Sequence, residues 1–169
     1  MPRRGGKLWA AAAAVAGGLA LAGSACRREW TLPTESELRE IYGAGVSARV
    51  TGNVAEIVVR QPREHLRRGG SLWARVGPYI YLLSPQTREL FERYPDLAAV
   101  RVITRLPDGR EVARGTLVRD TLPEGLWPRA IELAARARLE GSEHPQRLDD
   151  LVRWGERYVR YRYSYSATS

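Results

Sequence analysis

The sequence predicts an α+β fold: a small antiparallel sheet made from two hairpins, helices on one face of the sheet, and a C-terminal helical pair. Three observations lead to this prediction. Two stretches, 46–60 and 100–119, carry alternating apolar residues on either side of a turn. Between them, apolar residues recur at spacings of three and four, which is typical of one helical face. Beyond Pro123 the helical spacing returns twice.

The first predicted element is a helix over 35–42. Thr34 and Glu37 form a capping box, in which the threonine accepts a hydrogen bond from the amide three residues on while the glutamate reaches back. Gly43 ends this helix.

A hairpin follows. Its first strand alternates apolar and polar residues from Val46 to Val50, and its second strand is the apolar run 54–59. Gly52 and Asn53 lie between the two strands, which predicts a two-residue turn beginning at glycine.

The next stretch predicts two helices. Pro78 argues for a break, because proline lacks an amide hydrogen and crowds the preceding turn. Ser84 and Pro85 suit the cap and first residue of a new helix. We therefore predict a kinked helix over 71–83, with a strand as the alternative, and a second helix over 85–94. The residues that share the helical face are Trp73, Val76, Ile80, Leu83, Thr87, Leu90 and Tyr94.

A second hairpin spans 100–119, with its turn at 107–109, where proline, aspartate and glycine follow one another. Because an isolated hairpin is marginally stable, we expect its strands to pair with those at 46–60.

The C-terminal part predicts two helices separated by 141–145. Helical spacing is shown by two sets of residues: Ile131, Leu133, Ala134 and Ala137 in the first helix, and Leu148, Leu151, Val152, Gly155 and Val159 in the second. A basic, aromatic tail follows. The predicted organisation is an N-terminal leader over 1–25, a tether over 26–33, an α+β domain over 34–122, and C-terminal helices with the tail over 123–169.

Residues 1–25 have the layout of an export signal. Arg3, Arg4 and Lys7 precede the alanine-rich apolar run 8–22. A run of about 15 weakly apolar residues is short beside the roughly 20 that span a bilayer, so we expect the leader to be removed.

Residues 19–26, LALAGSAC, resemble the lipobox of bacterial lipoproteins. The resemblance implies diacylglycerol on the sulfur of Cys26, cleavage before that residue, and acylation of the new N-terminus. Gly23 stands where the family usually has an aliphatic residue. The alternatives are cleavage after Ala22 or Ala25 by an ordinary signal peptidase, which leaves a soluble exported protein, and an uncleaved anchor.

The resemblance also implies a location. Two acyl chains suffice for stable attachment, so the domain is expected in the periplasm or outside the cell, held at the cell membrane or outer membrane. Arg27 beside the lipidated cysteine, in place of aspartate, favours the outer membrane in two-membrane bacteria.

The exported part is basic through arginine alone. Removing residues 1–25 takes three of the 27 basic residues and none of the 19 acidic ones, which leaves 24 arginines and a formal charge of +5. An arginine-rich, lysine-free composition is typical of a GC-rich genome. Each guanidinium can still hold a carboxylate or phosphate in bidentate fashion. Export excludes nucleic acid, the usual partner of a basic chain.

Nothing in the sequence indicates catalysis, a cofactor or a metal. Cys26 is the single cysteine, so an internal disulfide and a cysteine-ligated metal are excluded. Neither His65 nor His144 has a second histidine or a pair of carboxylates at ligand spacing. No nucleophile-elbow pattern is present, although a triad assembled only in space leaves a hydrolase as an alternative.

Two segments are candidate binding sites. Residues 67–71 suit an anion, because glycine amides can approach a ligand and a helix start at Ser71 would add its positive end; the simpler interpretation is a glycine turn with an N-cap. The segment consists of Arg67, Arg68, Gly69, Gly70 and Ser71.

The second segment interleaves arginines with aromatic rings near the C-terminus. Such a surface could lie on anionic lipid or stack on anionic glycan; the alternative is a last helix whose rings cover the core, followed by a frayed tail. Its residues are Arg153, Trp154, Arg157, Tyr158, Arg160, Tyr161, Arg162 and Tyr163.

These observations predict a lipid-anchored envelope protein that binds or scaffolds other proteins without catalysis. The first alternative is a module that binds anionic glycan or lipid through its arginine and tyrosine surface, and the second is the hydrolase.

Overall fold

The computed structural model describes residues 31–164, apart from the side chains of 65–70. Within this part of the chain, five strands form one sheet in the order β1-β2-β3-β4-β5. The elements are α1 (Glu35–Tyr42), β1 (Val46–Thr51), β2 (Val54–Arg60), α2 (Arg63–Leu82), α3 (Pro85–Arg93), β3 (Ala99–Arg105), β4 (Glu111–Val118), α4 (Trp127–Glu140), α5 (Gln146–Gly155) and β5 (Val159–Tyr163).

The predicted α+β class is confirmed, as are both hairpins and the helices on one face. Helix α1 has the predicted bounds, and its capping box is present, with Thr34 N donating to Glu37 Oε2 at 2.8 Å. This bond to the backbone amide is the main reason why the pKa of Glu37 falls to about 2. The predicted helix over 71–83 is confirmed as far as Leu82, as part of the longer α2, with Leu83 as its C-cap.

The sheet is mixed, so the prediction of an antiparallel sheet is wrong in one place. Strands β2 and β3 run parallel, with Ile57 opposite Val102. The reason is the connection between them. Helices α2 and α3 carry the chain back along the sheet, so that β3 enters from the same end as β2, and such a crossover requires a helical segment that covers one face.

Helix α2 continues through Pro78, which supplies no amide hydrogen. The amide missing at position 78 would have bonded the carbonyl oxygen of Ala74. One residue earlier, Gln61 Nε2 donates to the carbonyl oxygen of Trp73 at 2.7 Å.

The C-terminal residues differ from the prediction. Helix α5 ends at Gly155, and Val159–Tyr163 forms β5, antiparallel to β4. The predicted extension of the last helix to Val159 and the frayed tail after it are therefore wrong for these residues. The physical reason is the edge of β4, whose backbone donors and acceptors are satisfied by another strand. Residues 165–169 lie outside the described part of the chain.

Arg119 joins the end of α3 to the strands. Its guanidinium donates to three backbone carbonyls: Leu97 O and Phe91 O, each at 2.7 Å, and Tyr94 O. It also lies over the Phe91 ring, 4.9 Å from the centroid. Carbonyls at a helix C-terminus lack intrahelical partners and carry the negative end of the helix dipole, so a cation is favoured there.

Replacing Arg119 with methionine should lower the free energy of unfolding by about 2–4 kcal/mol, because several hydrogen bonds from a charged donor are lost. Urea denaturation measures this difference. Arg138→Met is the matched control, since Arg138 is exposed on α4 and a surface substitution costs within about 0.5 kcal/mol. Equal urea midpoints for the Arg119→Met and Arg138→Met proteins would contradict the conclusion that Arg119 stabilises the end of α3.

Gly155 marks a close contact between α5 and α2. A Cβ at this position would lie 2.4 Å from Cδ1 of Tyr79, whose ring is fully buried. The Tyr79 ring also stacks on Tyr161, with centroids 5.0 Å apart and planes at 24°. Because the ring is fully buried and stacked on Tyr161, it has little room to move away from an added methyl group.

Gly155→Ala should destabilise the protein by about 1–2 kcal/mol, since overpacking of a filled core outweighs the gain in helix propensity. Gly125→Ala provides the comparison, because no atom lies within 4 Å of a Cβ built there. Thermal and urea unfolding of both variants test the contact; a Gly155→Ala protein at least as stable as wild type would refute it.

Candidate anion-binding face

Within residues 31–164, one face of the sheet has no covering helix. Helices α2, α4 and α5 pack together with the inward residues of the strands in one apolar core. Because side chains alternate along a strand, the other residues point to the opposite side, which we call the open face. It consists of Ser47, Arg49, Thr51, Val54, Glu56, Val58, Arg60, Ala99, Arg101, Ile103, Arg105, Glu111, Arg114, Thr116, Val118, Arg160 and Arg162, as the strand register requires.

Glu56 is the buried carboxylate of the open face. Its side chain is only 8% exposed and lies between two arginines. Arg49 Nε donates to Oε1 at 2.8 Å, and Arg101 Nη1 donates to Oε2 at 3.4 Å. A carboxylate tolerates this burial because both of its oxygens are paired.

Glu111 is the second acidic residue of this face. Arg114 binds it in bidentate fashion, through Nε at 3.2 Å and Nη2 at 2.7 Å. These hydrogen bonds raise the pKa of Arg114. Three of the seven arginines of the open face are therefore held by its two carboxylates.

The side chains of the other four arginines of the open face have no partner among the described residues. Arg60, Arg105, Arg160 and Arg162 are exposed. Of the arginines whose side chains are described, six make no side-chain ion pair or hydrogen bond with another described residue. Four of the six are these arginines of the open face, and the other two are Arg138 and Arg157. Seven arginines against two glutamates give the open face a formal charge of +5, equal to that of the whole exported chain.

An apolar residue of the open face is also buried. Ile103 is only 2% exposed although no helix covers it. Its neighbours across the sheet are Val58 and Arg114, and Arg101 and Arg105 flank it along β3. Aliphatic stems of arginines at such neighbouring positions can cover an apolar side chain while their charged ends stay in solvent.

A shallow groove of about 650 Å³ crosses one end of the open face. Arg49, Glu56, Arg60 and Arg105 are among its lining residues. Since Arg60 and Arg105 are directly opposite each other in the register, two free guanidinium groups lie side by side at this end.

The predicted arginine and aromatic surface is divided among three places. Arg160 and Arg162 belong to the open face. Tyr161 points the other way and stacks on Tyr79, and burial raises the pKa of both tyrosines. Tyr163 is 37% exposed and shares the inward side of β5 with Tyr161. Alternation along β5 therefore separates charges from rings that the sequence interleaves.

The third place is a groove of about 340 Å³ between α4 and α5. Arg153, Trp154 and Arg157 are among its lining residues, and the Trp154 ring lies 4.8 Å from that of Tyr158. Arg157 forms no ion pair with a described residue. The other four arginines of this groove are ion-paired with carboxylates of α4 or α5: Arg129 and Arg136 with Glu132, Arg147 with Glu140, and Arg153 with Asp149.

The segment 67–71, predicted to bind an anion, does not lie at the start of a helix. Helix α2 starts at Arg63, so a helix start at Ser71 is wrong, and the exposed Ser71 lies inside the helix. The side chains of Arg67 and Arg68, and the environment of Gly69 and Gly70, are outside the described part of the structure.

The remaining candidates are placed as follows. Cys26 and the leader precede the described residues. His144 is exposed in the turn between α4 and α5, and the side chain of His65 is not described. Over 31–164, no cluster of histidine, cysteine and carboxylate side chains is arranged to hold a metal ion, and no described helix is both long and apolar enough to cross a membrane.

Sequence reasoning missed the open face, although the pattern that encodes it is visible. Arginine occupies solvent-side positions in all five strands. Helical coverage of the opposite side turns this alternation into one basic surface. No protein-family model, curated protein or solved structure matches this chain.

Glu56→Gln should strengthen the binding of a polyanion, because it removes one of the two negative charges of the open face. It should also lower the free energy of unfolding by about 1–3 kcal/mol, since a buried charged hydrogen-bond partner is lost. The salt concentration that elutes the protein from a heparin column measures binding. Glu143→Gln changes the net charge equally in an exposed turn, so equal elution of the two variants would show that only net charge matters.

Proposed function

We propose that this chain is an exported bacterial lipoprotein, attached through Cys26, whose domain binds an anionic partner in the cell envelope without catalysis. The leader and the lipobox resemblance support the export and attachment. The open face supports the binding role. It is a broad surface rather than an enclosed cavity, which suits recognition of another surface better than conversion of a small substrate.

The observation that carries the proposal is the unequal distribution of unpaired arginines. A structural arginine is normally neutralised or hydrogen-bonded, as Arg114 and Arg119 are. Four cations without partners on one face repel one another and lower stability, unless the face meets a negatively charged surface. Binding to such a surface therefore gives a reason for their position.

A second candidate function is the binding of an anionic glycan in the groove between α4 and α5. The half-buried Trp154 favours it, because an indole ring can stack on a sugar while the unpaired Arg157 holds a carboxylate. Trp154→Ala should then weaken binding to soluble peptidoglycan fragments. The hydrolase alternative has no contact among described residues in its favour.

Attachment is tested by comparing wild type with Cys26→Ala after expression in a bacterial host. We expect wild-type protein to begin at Cys26, to carry the mass of its acyl chains and to remain with membranes after a high-salt wash. The variant should lack that mass and be released by the wash. Intact-mass spectrometry and membrane fractionation measure both outcomes. A wild-type protein that is cleaved without lipid would reject the attachment.

A further inference from the structure

We infer that the open face docks on the anionic phospholipid headgroups of the membrane that holds the chain's own lipid. The inference rests on the proposed attachment through Cys26, and it names the partner of the open face. The occupant is thus a planar array of phosphates rather than a glycan strand or an acidic protein.

The charges of the open face spread in two directions. Arg60 and Arg105 are neighbours on adjacent strands near one end of the face, and Arg160 and Arg162 follow each other along the edge strand β5. Strands are about 4.8 Å apart, so five of them are roughly 19 Å across, and six residues along β3 cover about 20 Å. A surface of this shape matches a plane of charges, whereas a single polymer strand could neutralise only one row.

The chemistry of the face also favours phosphate over sugar. The side chains that define the open face include no aromatic ring, because Tyr161 points toward the helices. Sugar binding would lack a stacking surface there. Guanidinium groups, by contrast, bind phosphate oxygens in bidentate fashion without needing a pocket.

The tether limits how far the domain can stand from the membrane. Five Cα–Cα steps separate Cys26 from Thr31, and an extended chain of that length reaches at most about 18 Å. Thr31 N donates to Asp96 Oδ2 at 2.9 Å, which holds the tether shortly before β3 begins at Ala99. Arg101 is two residues further along β3, about 7 Å.

The lipid and the face are therefore close enough to act together. A lipid anchor at one border of the open face keeps Arg101, and the residues paired with it on the neighbouring strands, within reach of the headgroups. Because the anchor already confines the domain to the surface, even weak contacts from the free arginines can orient it. The helix layer would then face away from the bilayer, where it is accessible to other partners.

The test uses the full chain, lipidated and processed in the host, with a second cysteine for a fluorescent label. Ser47→Cys places the label on the open face, and Leu139→Cys places it on α4, where Leu139 is 82% exposed. Cys26 is consumed by the lipid and does not react. Each protein is reconstituted in vesicles of phosphatidylcholine, with or without phosphatidylglycerol, and quenching by aqueous acrylamide is measured.

We expect phosphatidylglycerol to reduce quenching of the Ser47→Cys label at least threefold at low salt, and to leave the Leu139→Cys label unchanged. High salt should restore quenching, because exposed charges are then screened. Replacing the four free arginines of the face with glutamine should abolish the protection. The control is Arg138→Gln with Arg157→Gln, which removes the other two unpaired arginines of the described side chains and should preserve the protection.

The outcomes separate the docking from the attachment. A protein that does not remain on phosphatidylcholine vesicles overturns the attachment, and the docking inference with it. A protein that remains on both kinds of vesicle, but whose two labels are quenched alike, overturns the docking alone. In that case, if the wild type binds heparin and the four-arginine variant does not, the partner of the open face is a glycan or an acidic protein.

Discussion

The close approach of α2 to the sheet determines the arrangement of the other elements. Gly77 of α2 lies against Thr104, where an added Cβ would come within 2.8 Å of Cγ2. On the other side of this contact, Gly115 of β4 leaves room for Pro78 and Leu82 of α2. Because neither glycine has a side chain, the backbone of α2 can lie close against the centre of the sheet. Helices α4 and α5 then pack on α2, so that every described layer of helix lies on the same side.

One-sided packing sets the chemistry of the remaining face. A sheet face without a helix must be polar at its surface, yet its backbone and β-branched residues still need cover. Arginine meets both requirements, since its stem can cover a residue such as the buried Ile103 while its charge stays hydrated. Glu56 and Glu111 form ion pairs with three of the arginines and fix their positions. The arginines left over are therefore presented by an ordered surface rather than by flexible side chains alone.

Local sequence patterns predicted most helices and strands. The predictions were wrong where pairing between distant strands determines the structure. The capping box of α1, the glycine turn at Gly52 and the cap at Ser84 are encoded within a few residues, and each was found. Residues 148–159 fit helical spacing, yet Val159 and Tyr161 also alternate with arginines, which is a strand pattern. Only the free edge of β4 decides between them. The open face required knowledge of strand pairing, which no local window contains.

The partners of each arginine carry more information than the number of arginines. A high arginine content follows from base composition alone, so it gives no reason to expect a binding site. Base composition does not decide, however, whether a guanidinium meets a carbonyl group, a carboxylate or only water. Arg119 meets carbonyls, and Arg49 meets Glu56. If composition alone placed arginines, unpaired ones would be scattered over the surface, whereas four of the six in the described part of the chain share one face. That concentration opposes folding through repulsion, and it is expected only where an external negative charge offsets it.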